Sequence, residues 1–268
     1  TASLTAVLMS PISSSVGSSW AAKDAAAMRA KPSLALRLGK DDFKLRGKIL
    51  AAYLPLGLCS FLAQISLVIA MAATNNMLVQ YGAGSKYGAD IPLTVLGIVM
   101  KVFQIIISIT IGMSAGCIPI VGYNYGAEKY DRVRKTYQLI LATTLAVGLA
   151  ATLVFELCPQ LVVGIFGQGD PLYWEFAIQT FRIFLSLITF TCFIKMTSIF
   201  FQAVGEPGKA TAASLIRDLA CFVHLALLLP HKFGIQGVLY AGPAADAIAM
   251  VVAVVLTVRF FQQMNRQA

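Results

Sequence analysis

Eight titratable side chains interrupt the long apolar stretches of this sequence, where such groups are rare. They are Lys101, Glu156, Arg182, Lys195, Arg217, Asp218, His224 and Asp246. A charged side chain near the centre of a lipid bilayer is costly unless it faces water or pairs with a partner. These residue types can therefore form buried ion pairs, contact a charged ligand or, for the histidine, carry a proton.

Polar residues recur on three predicted helices at steps of three and four: Gly97, Lys101, Gln104 and Ser108; Thr191, Lys195, Ser198 and Gln202; and Ser214, Arg217, Cys221 and His224. Steps of three and four keep side chains on one face of a helix. The sequence thus predicts three helices that turn polar faces toward a shared hydrated cavity.

Simpler structural interpretations remain open for several of these positions. Glu156 and Arg182 lie near the ends of apolar segments, so their side chains can reach the interface. Lys195 can likewise reach the cytoplasmic end of its helix. Lys101 and Asp246 lie deeper, which favours a cavity or an ion-pair role.

The remaining polar positions each allow two interpretations. Arg217 and Asp218 are adjacent, so we expect them to point in different directions and not simply to neutralise each other. Pairing with other helices and contact with a substrate are both open for them. His224 either relays protons or makes a packing hydrogen bond. Gln64 either bonds a neighbouring helix or lines the cavity.

The elements that carry these residues are long apolar segments. Apolar residues make up 58% of the 268-residue chain and charged residues only 12%, whereas a soluble domain has about a quarter charged residues. Six segments are each long enough to cross the hydrocarbon layer as a helix: about 49–77, 91–116, 136–160, 175–203, 209–230 and 234–261. The sequence predicts an all-α, polytopic membrane protein with six transmembrane helices.

The distribution of Lys and Arg predicts how these helices are oriented. Fifteen such residues precede the first segment, lie in or at the edge of alternate loops, or lie near the end of the chain (Arg259 and Arg266), whereas only Lys86 and Lys232 lie in the other loops. Cytoplasmic loops carry this excess, so we expect a multi-pass protein of the cell (inner) membrane with both termini cytoplasmic. We assign 1–44 to a poorly ordered cytoplasmic tail or inter-lobe linker, 45–262 to the transmembrane lobe and 263–268 to a cytoplasmic tail.

Several classes of protein are disfavoured by the same residues. The net charge is +9, but the basic residues lie in short loops between apolar segments, without interleaved aromatic residues. This pattern is not typical of nucleic-acid binding. The five cysteines show no CxxC spacing, and we expect neither a metal site nor a disulfide. No GxxxxGK[ST] run occurs, and no GxSxG, HExxH or paired-carboxylate arrangement lies on a plausible catalytic surface. We therefore expect that the protein is not an enzyme and binds no cofactor. We expect an ion gradient to be its energy source.

One run of residues resembles a known family. Gly112–Ala127, followed by Asp131–Val133, is similar to the signature after the eighth helix of MATE (multidrug and toxic compound extrusion) transporters. Its motif positions, expected in a loop, are Pro119, Gly122, Tyr123, Asn124, Gly126 and Arg132. Further matches are Phe201–Gly205, Ser214–Arg217, Pro230, Phe233, Gly234, Gly237, Pro243 and Asp246. Together they cover about residues 45–262 and are most like the staphylococcal and DinF-type exporters.

The resemblance implies a fold and an activity. Members have twelve helices in two six-helix lobes, and they export cationic or amphipathic compounds in exchange for protons or sodium. This chain matches the C-terminal lobe, so we expect a fragment or a half-size protein, completed by the missing N-terminal lobe or by a second copy. Sodium-type members carry carboxylates in the seventh and tenth helices, where this chain offers Gln64 and Lys195.

The resulting hypothesis is alternating access around a midplane site. The predicted substrate or ion cavity is lined by Gln64, Lys101, Gln104, Lys195, Arg217, Asp218, His224 and Asp246. Two alternatives are a lipid-linked saccharide flippase of the same superfamily, for which a cationic cavity suits a pyrophosphate, and a non-transporting truncated membrane subunit. The segment Gly122–Ala127 favours the drug-exporting branch.

Overall fold

Each of the six predicted apolar segments folds largely into α-helix. The computed structural model describes residues 47–166 and 169–267. The predicted tail or linker, 1–44, lies outside these residues. The elements are α1 Gly47–Ala83, α2 Asp90–Gly116, α3 Ile118–Gly126, α4 Tyr130–Leu157, α5 Pro159–Phe166, α6 Pro171–Phe184, α7 Ile188–Ala203, α8 Pro207–Leu215, the π segment Ile216–Val223, α9 His224–Phe233 and α10 Ile235–Gln267.

Five stretches are long and apolar enough to cross a membrane: Phe61–Ala83, Asp90–Gly126, Tyr130–Leu157, Pro207–Phe233 and Ile235–Arg266. The pair formed by α6 and α7 passes the same criteria together but bends by 46° at its break, and as one span it would be the sixth. Each of the six predicted segments falls on one of these stretches. The final helix continues to Gln267, beyond the predicted end of the lobe at residue 262.

The break between α6 and α7 lies within the fourth predicted span. Ser186 donates its hydroxyl to the carbonyl oxygen of Ile183 at 2.9 Å, so it competes with the helical backbone bonds at this turn. Arg182, predicted near the end of a span, instead lies in the last turn of α6, beside this break, and is exposed. The break itself was not predicted, because apolar composition alone does not reveal one.

The family signature forms a helix where a loop was expected. Pro119 stands at the start of α3, where the missing N–H of a proline costs no hydrogen bond. The side-chain amide of Asn124 donates to the carbonyl oxygen of Ile120 at 2.8 Å, so the residue bonds within its own helix. The chain turns after α3 at Glu128, whose φ of 58° is unusual for a residue other than glycine.

The helices from Ala51 onward form one compact unit. Two apolar clusters fill its interior. The first centres on α2, α6 and the first part of α10, with Phe176, Phe181 and Leu239 almost fully buried. The second joins the ends of α4, α7 and α10, where the Tyr137 ring lies 4.8 Å from that of Phe200 and 4.9 Å from that of Phe261, centroid to centroid.

Candidate functional site

A cluster of buried charges joins two of the predicted helices. The Nε atom of Arg217 donates to Oδ1 of Asp246 at 2.7 Å, and its Nη1 atom donates to Oδ1 of Asp218 at 2.7 Å. Thr191 on α7 donates its hydroxyl to Oδ2 of Asp246 at 2.6 Å. The exposed fractions of Arg217, Asp218 and Asp246 are 8%, 1% and 3%. One guanidinium therefore bonds two carboxylates away from water and lipid.

The cluster lies deep within the spans. Arg217 follows the start of its span at Pro207 by ten residues, and Asp246 follows Ile235 by eleven, which places both about 15 Å from the nearer end. On α7 the first apolar cluster ends at Cys192, next to Thr191, and the second begins at Phe193; on α10 Asp246 lies between Ala245 of the first cluster and Ala249 of the second. The charged groups therefore lie where the two apolar interiors meet.

The π segment positions two of the three charges. Arg217 and Asp218 are its second and third residues, and Phe222 is its remaining buried residue. A π-helix has i to i+5 backbone hydrogen bonds, is rare, and often occurs at functional sites. The wider turn carries two adjacent charged residues into the interior together, while Phe222 packs into the first apolar cluster.

The prediction that Arg217 and Asp218 would not neutralise each other was wrong. Their side chains form an ion pair although the residues are adjacent. The argument from helix spacing considered the direction of the Cβ atoms only. A guanidinium is long and has several N–H groups in a fixed fork, so it can bond one carboxylate on its own helix and another on α10.

Lys195 contributes a second positive charge near this cluster. It is half-buried on α7, one turn from Thr191, and lies within electrostatic range of Arg217, Asp218 and Asp246. The formal charges of the two basic residues and the two carboxylates sum to zero. Among residues 47–166 and 169–267, no group of three His, Cys, Asp or Glu side chains is placed to hold a metal ion.

The other predicted site residues lie on the surface of the lobe. Lys101 and Gln104 are exposed on α2, and the amide of Gln104 lies 3.5 Å from the hydroxyl of Ser108. Gln64 is exposed on α1. His224 is exposed at the start of α9, and its Nδ1 atom lies 3.1 Å from the carbonyl oxygen of Leu219 in the preceding π segment. The structure thus brings together Lys195, Arg217, Asp218 and Asp246 and leaves these four residues outside the cluster.

Two hydroxyl groups of the cluster were missing from the predicted site. Thr191 belonged to a predicted polar stripe, and the step of four to Lys195 was the signal that could have identified it. Ser66 on α1 is fully buried, with its Oγ atom 3.5 Å from Oδ2 of Asp218 and 2.8 Å from the carbonyl oxygen of Ala63. A serine in an apolar helix is too common to single out from sequence.

A second polar cluster lies just after the C-terminal end of α1. Lys86, in the turn between α1 and α2, donates to Oε1 of Glu175 on α6 at 2.7 Å, and the Tyr87 hydroxyl donates to the same atom at 3.0 Å. The bond to Glu175 raises the pKa of Lys86 above its ordinary value. Burial, followed by the bond to Glu175, raises the pKa of Tyr87.

Comparison with known proteins connects this architecture to a family. A family model described as MatE matches residues 60–225, more than half of the chain and including the π segment with Arg217 and Asp218. The chain belongs to the MatE family. Its resemblance to MATE transporters is thereby confirmed.

Curated relatives of this MatE chain include multidrug export proteins. The chain is 22% identical over 216 residues to the multidrug export protein MepA of Staphylococcus saprophyticus, covering 78% of the chain and 44% of that protein. It is 21% identical over 220 residues to MepA of Staphylococcus aureus, with the same coverage. The chain thus spans less than half the length of these relatives, which fits the predicted likeness to staphylococcal exporters.

Solved structures show the same helical fold. An outward-facing MATE family multidrug resistance transporter of the MOP superfamily superposes with a TM-score of 0.76 at 22% identity, over 85% of this chain and 50% of that one. A MOP superfamily transporter from Pyrococcus furiosus, described as having a binding pocket of reverse polarity, gives a TM-score of 0.75 over the same fractions. The MatE chain therefore has the fold of about half of a MATE transporter.

Proposed function

We propose that this chain supplies the C-terminal six-helix lobe of a multidrug or xenobiotic efflux transporter that exchanges its substrate for H⁺ or Na⁺. The polar face of α2 is the observation that carries the proposal. Gly97, Lys101, Gln104 and Ser108 are all exposed and lie at steps of three and four. Lipid would disfavour an exposed ammonium and amide in the middle of an apolar helix, so this face suits a hydrated cavity shared with a second lobe.

In this proposal the buried cluster lies beside the cavity and holds two of the spans that border it in fixed positions. Lys195 is the partly exposed member of the cluster, while Arg217 and Asp246 are buried. In this proposal Lys101, Gln104 and Lys195 line the cavity, and the ion pairs fix the relative positions of the fifth and sixth spans. The substrates are cationic or amphipathic compounds, and rocking of the two lobes opens the cavity to alternate sides of the membrane.

The partner in this proposal is a second six-helix lobe, either an N-terminal lobe or another copy of this chain. The relatives support it, because MepA proteins are named as multidrug exporters and the chain covers 44% of their length. The proposed location is the cell (inner) membrane with both termini cytoplasmic, as the excess of Lys and Arg in alternate loops predicts.

Gradient-driven dye efflux from vesicles tests the function. We expect vesicles that contain the chain together with a supplied N-terminal lobe to expel a cationic dye when a pH or Na⁺ gradient is imposed. The same lobe supplied with a Lys101→Ala, Gln104→Ala chain should expel it more slowly, because the cavity face has lost its polar groups. Correct membrane insertion with no efflux in any combination would contradict the proposal and favour a non-transporting subunit.

A lipid-linked saccharide flippase is the second candidate, favoured by the two cations Lys101 and Lys195 on or near the proposed cavity. A pyrophosphate is recognised by such cations. Movement of a fluorescent pyrophosphate-linked lipid across the vesicle membrane, without dye efflux, would favour this candidate over the exporter.

A further inference from the structure

We propose that Arg217 is the built-in counter-ion of a guanidinium site formed by Asp218, Asp246 and Thr191. These two carboxylates then hold no exchangeable inorganic cation, so the coupling ion of the transporter binds elsewhere. The statement about coupling rests on the proposed function, whereas the guanidinium site is a property of the lobe itself.

The hydrogen bonds match the shape of a guanidinium group. Two of its nitrogen atoms, Nε and Nη1, each donate to a different carboxylate at 2.7 Å. The planar fork of an arginine side chain favours such paired, charge-assisted bonds. The carboxylates come from the π segment and from α10, so the guanidinium joins two helices.

The remaining oxygen atoms of the carboxylates are also occupied or covered. Oδ2 of Asp246 accepts the Thr191 hydroxyl at 2.6 Å, and Oδ2 of Asp218 faces the Ser66 hydroxyl at 3.5 Å. A sodium or other hard cation binds through several oxygen atoms. Here the oxygen atoms are already bonded to, or faced by, groups of the chain. The guanidinium is covalently tethered and cannot leave with a substrate.

Burial makes the guanidinium necessary. Asp218 and Asp246 are 1% and 3% exposed, and a buried carboxylate that loses its partner destabilises the fold strongly. Lys195 lies within electrostatic range but is only one charge, so it cannot balance both carboxylates. Removing the arginine side chain should therefore create a vacant site that a free guanidinium ion can fill.

Thermal unfolding of the full chain in detergent tests the site. We expect Arg217→Ala to lower the Tm by about 10 °C and free guanidinium at millimolar concentrations to raise it again in a saturable way. The unaltered chain and the control variant Lys101→Ala should show no such rise, because Lys101 is exposed and outside the cluster. No guanidinium-dependent rise in Arg217→Ala, or an equal rise in all three proteins, would overturn the proposal.

A double variant covers the case in which Arg217→Ala does not fold. Arg217→Ala combined with Asp246→Asn removes one charge of each sign, so Lys195 can balance Asp218, and folded protein should be recovered. A double variant that is no better folded than Arg217→Ala would overturn the proposal. Equal Tm values of the unaltered chain in sodium and in choline salts are also expected. A saturable sodium-dependent rise that Asp246→Asn abolishes would overturn the statement about inorganic cations, whatever the result of the efflux experiment.

Discussion

At the scale of single residues, the bonds of Lys86 give the protein an alkaline pH dependence. Because the bond to Glu175 raises the pKa of Lys86 in the folded state, the pair stabilises the fold fully below the ordinary pKa of 10.5. This stabilisation is lost as the pH rises through the raised value. Both groups are exposed, so the effect is small.

We expect Lys86→Met to unfold at a lower temperature than the unaltered chain at pH 7, and the two Tm values to converge as the pH rises above 10.5 and through the raised pKa of Lys86. The measurement is thermal unfolding in detergent across this pH range. Lys232→Met is the matched control, since Lys232 is exposed and predicted on the same side of the membrane. A difference for Lys86→Met that stays constant as the pH rises from 7 to well above 10.5 would contradict the role of the ion pair.

The charged residues of the buried cluster were predicted as members of a site, but their bonds were not. Arg217 and Asp246 are separated by 29 positions, and nothing in a single sequence states which of two distant polar residues face each other. The stripe on α7 contains Thr191, which bonds Asp246, and Lys195, which is half-buried. The same stripes also included Lys101 and His224, which are exposed, because periodicity cannot distinguish a polar face that is buried from one on the surface.

At the scale of elements, the crossing of α4 and α7 depends on the absence of a side chain. A Cβ atom added to Gly148 would lie 2.9 Å from Cα of Thr189, which is backbone and cannot move aside alone. The hydroxyl groups of Thr152 and Thr189 lie 3.0 Å apart next to this contact. Small residues permit such close helix approach in membranes.

Gly148→Ala should therefore push the two helices apart and destabilise the fold by about 1–3 kcal/mol. Gly112→Ala on α2 is the control, because its added Cβ meets nothing within 4 Å, and alanine favours a helix. Comparison of the two Tm values in the same detergent is the measurement. A Gly148→Ala variant as stable as Gly112→Ala would show that the helices are not in close contact there.

The six helical segments could be predicted because mean hydropathy over about twenty residues identifies a span. The two irregularities within them could not. Neither Leu185–Leu187, between α6 and α7, nor the π segment contains proline or glycine, the residues that usually mark a break. Both arise from packing and local hydrogen bonds, such as that of Ser186 to Ile183. The helix at the family signature was missed for the opposite reason, since its glycines suggested a loop.

At the scale of the whole molecule, the outer surface carries both apolar and polar faces. Ile105, Leu149 and Val251 are among many large apolar residues that are exposed, which suits contact with lipid. The polar face of α2 with Lys101 and Gln104 contrasts with them. One lobe of a larger transporter would have both kinds of surface, one toward acyl chains and one toward its partner.

The orientation of the lobe can be measured by labelling single cysteines in a background without native cysteines. Gly84→Cys, in the turn between α1 and α2, should react with an impermeant maleimide in intact cells. Lys135→Cys, at the start of α4, should react only after permeabilisation, because the basic loops are predicted to be cytoplasmic. Both positions are exposed, so accessibility within the fold is matched. The reverse pattern would invert the predicted topology.

The π segment has a consequence for how the fifth span tolerates change in length. Ala213 and Ser214 before it and Arg217 near its start face inward, and Phe222 near its end does so again after a step of five, followed by Ala226 after a step of four. Rewinding the segment as an ordinary α-helix of the same length would rotate everything that follows by about 100°. Phe222 and Ala226 would then face away from the first apolar cluster. The wider turn takes up one surplus residue and keeps the two halves of this span in phase, so the span should tolerate the loss of one residue inside this segment better than the loss of one residue in α8.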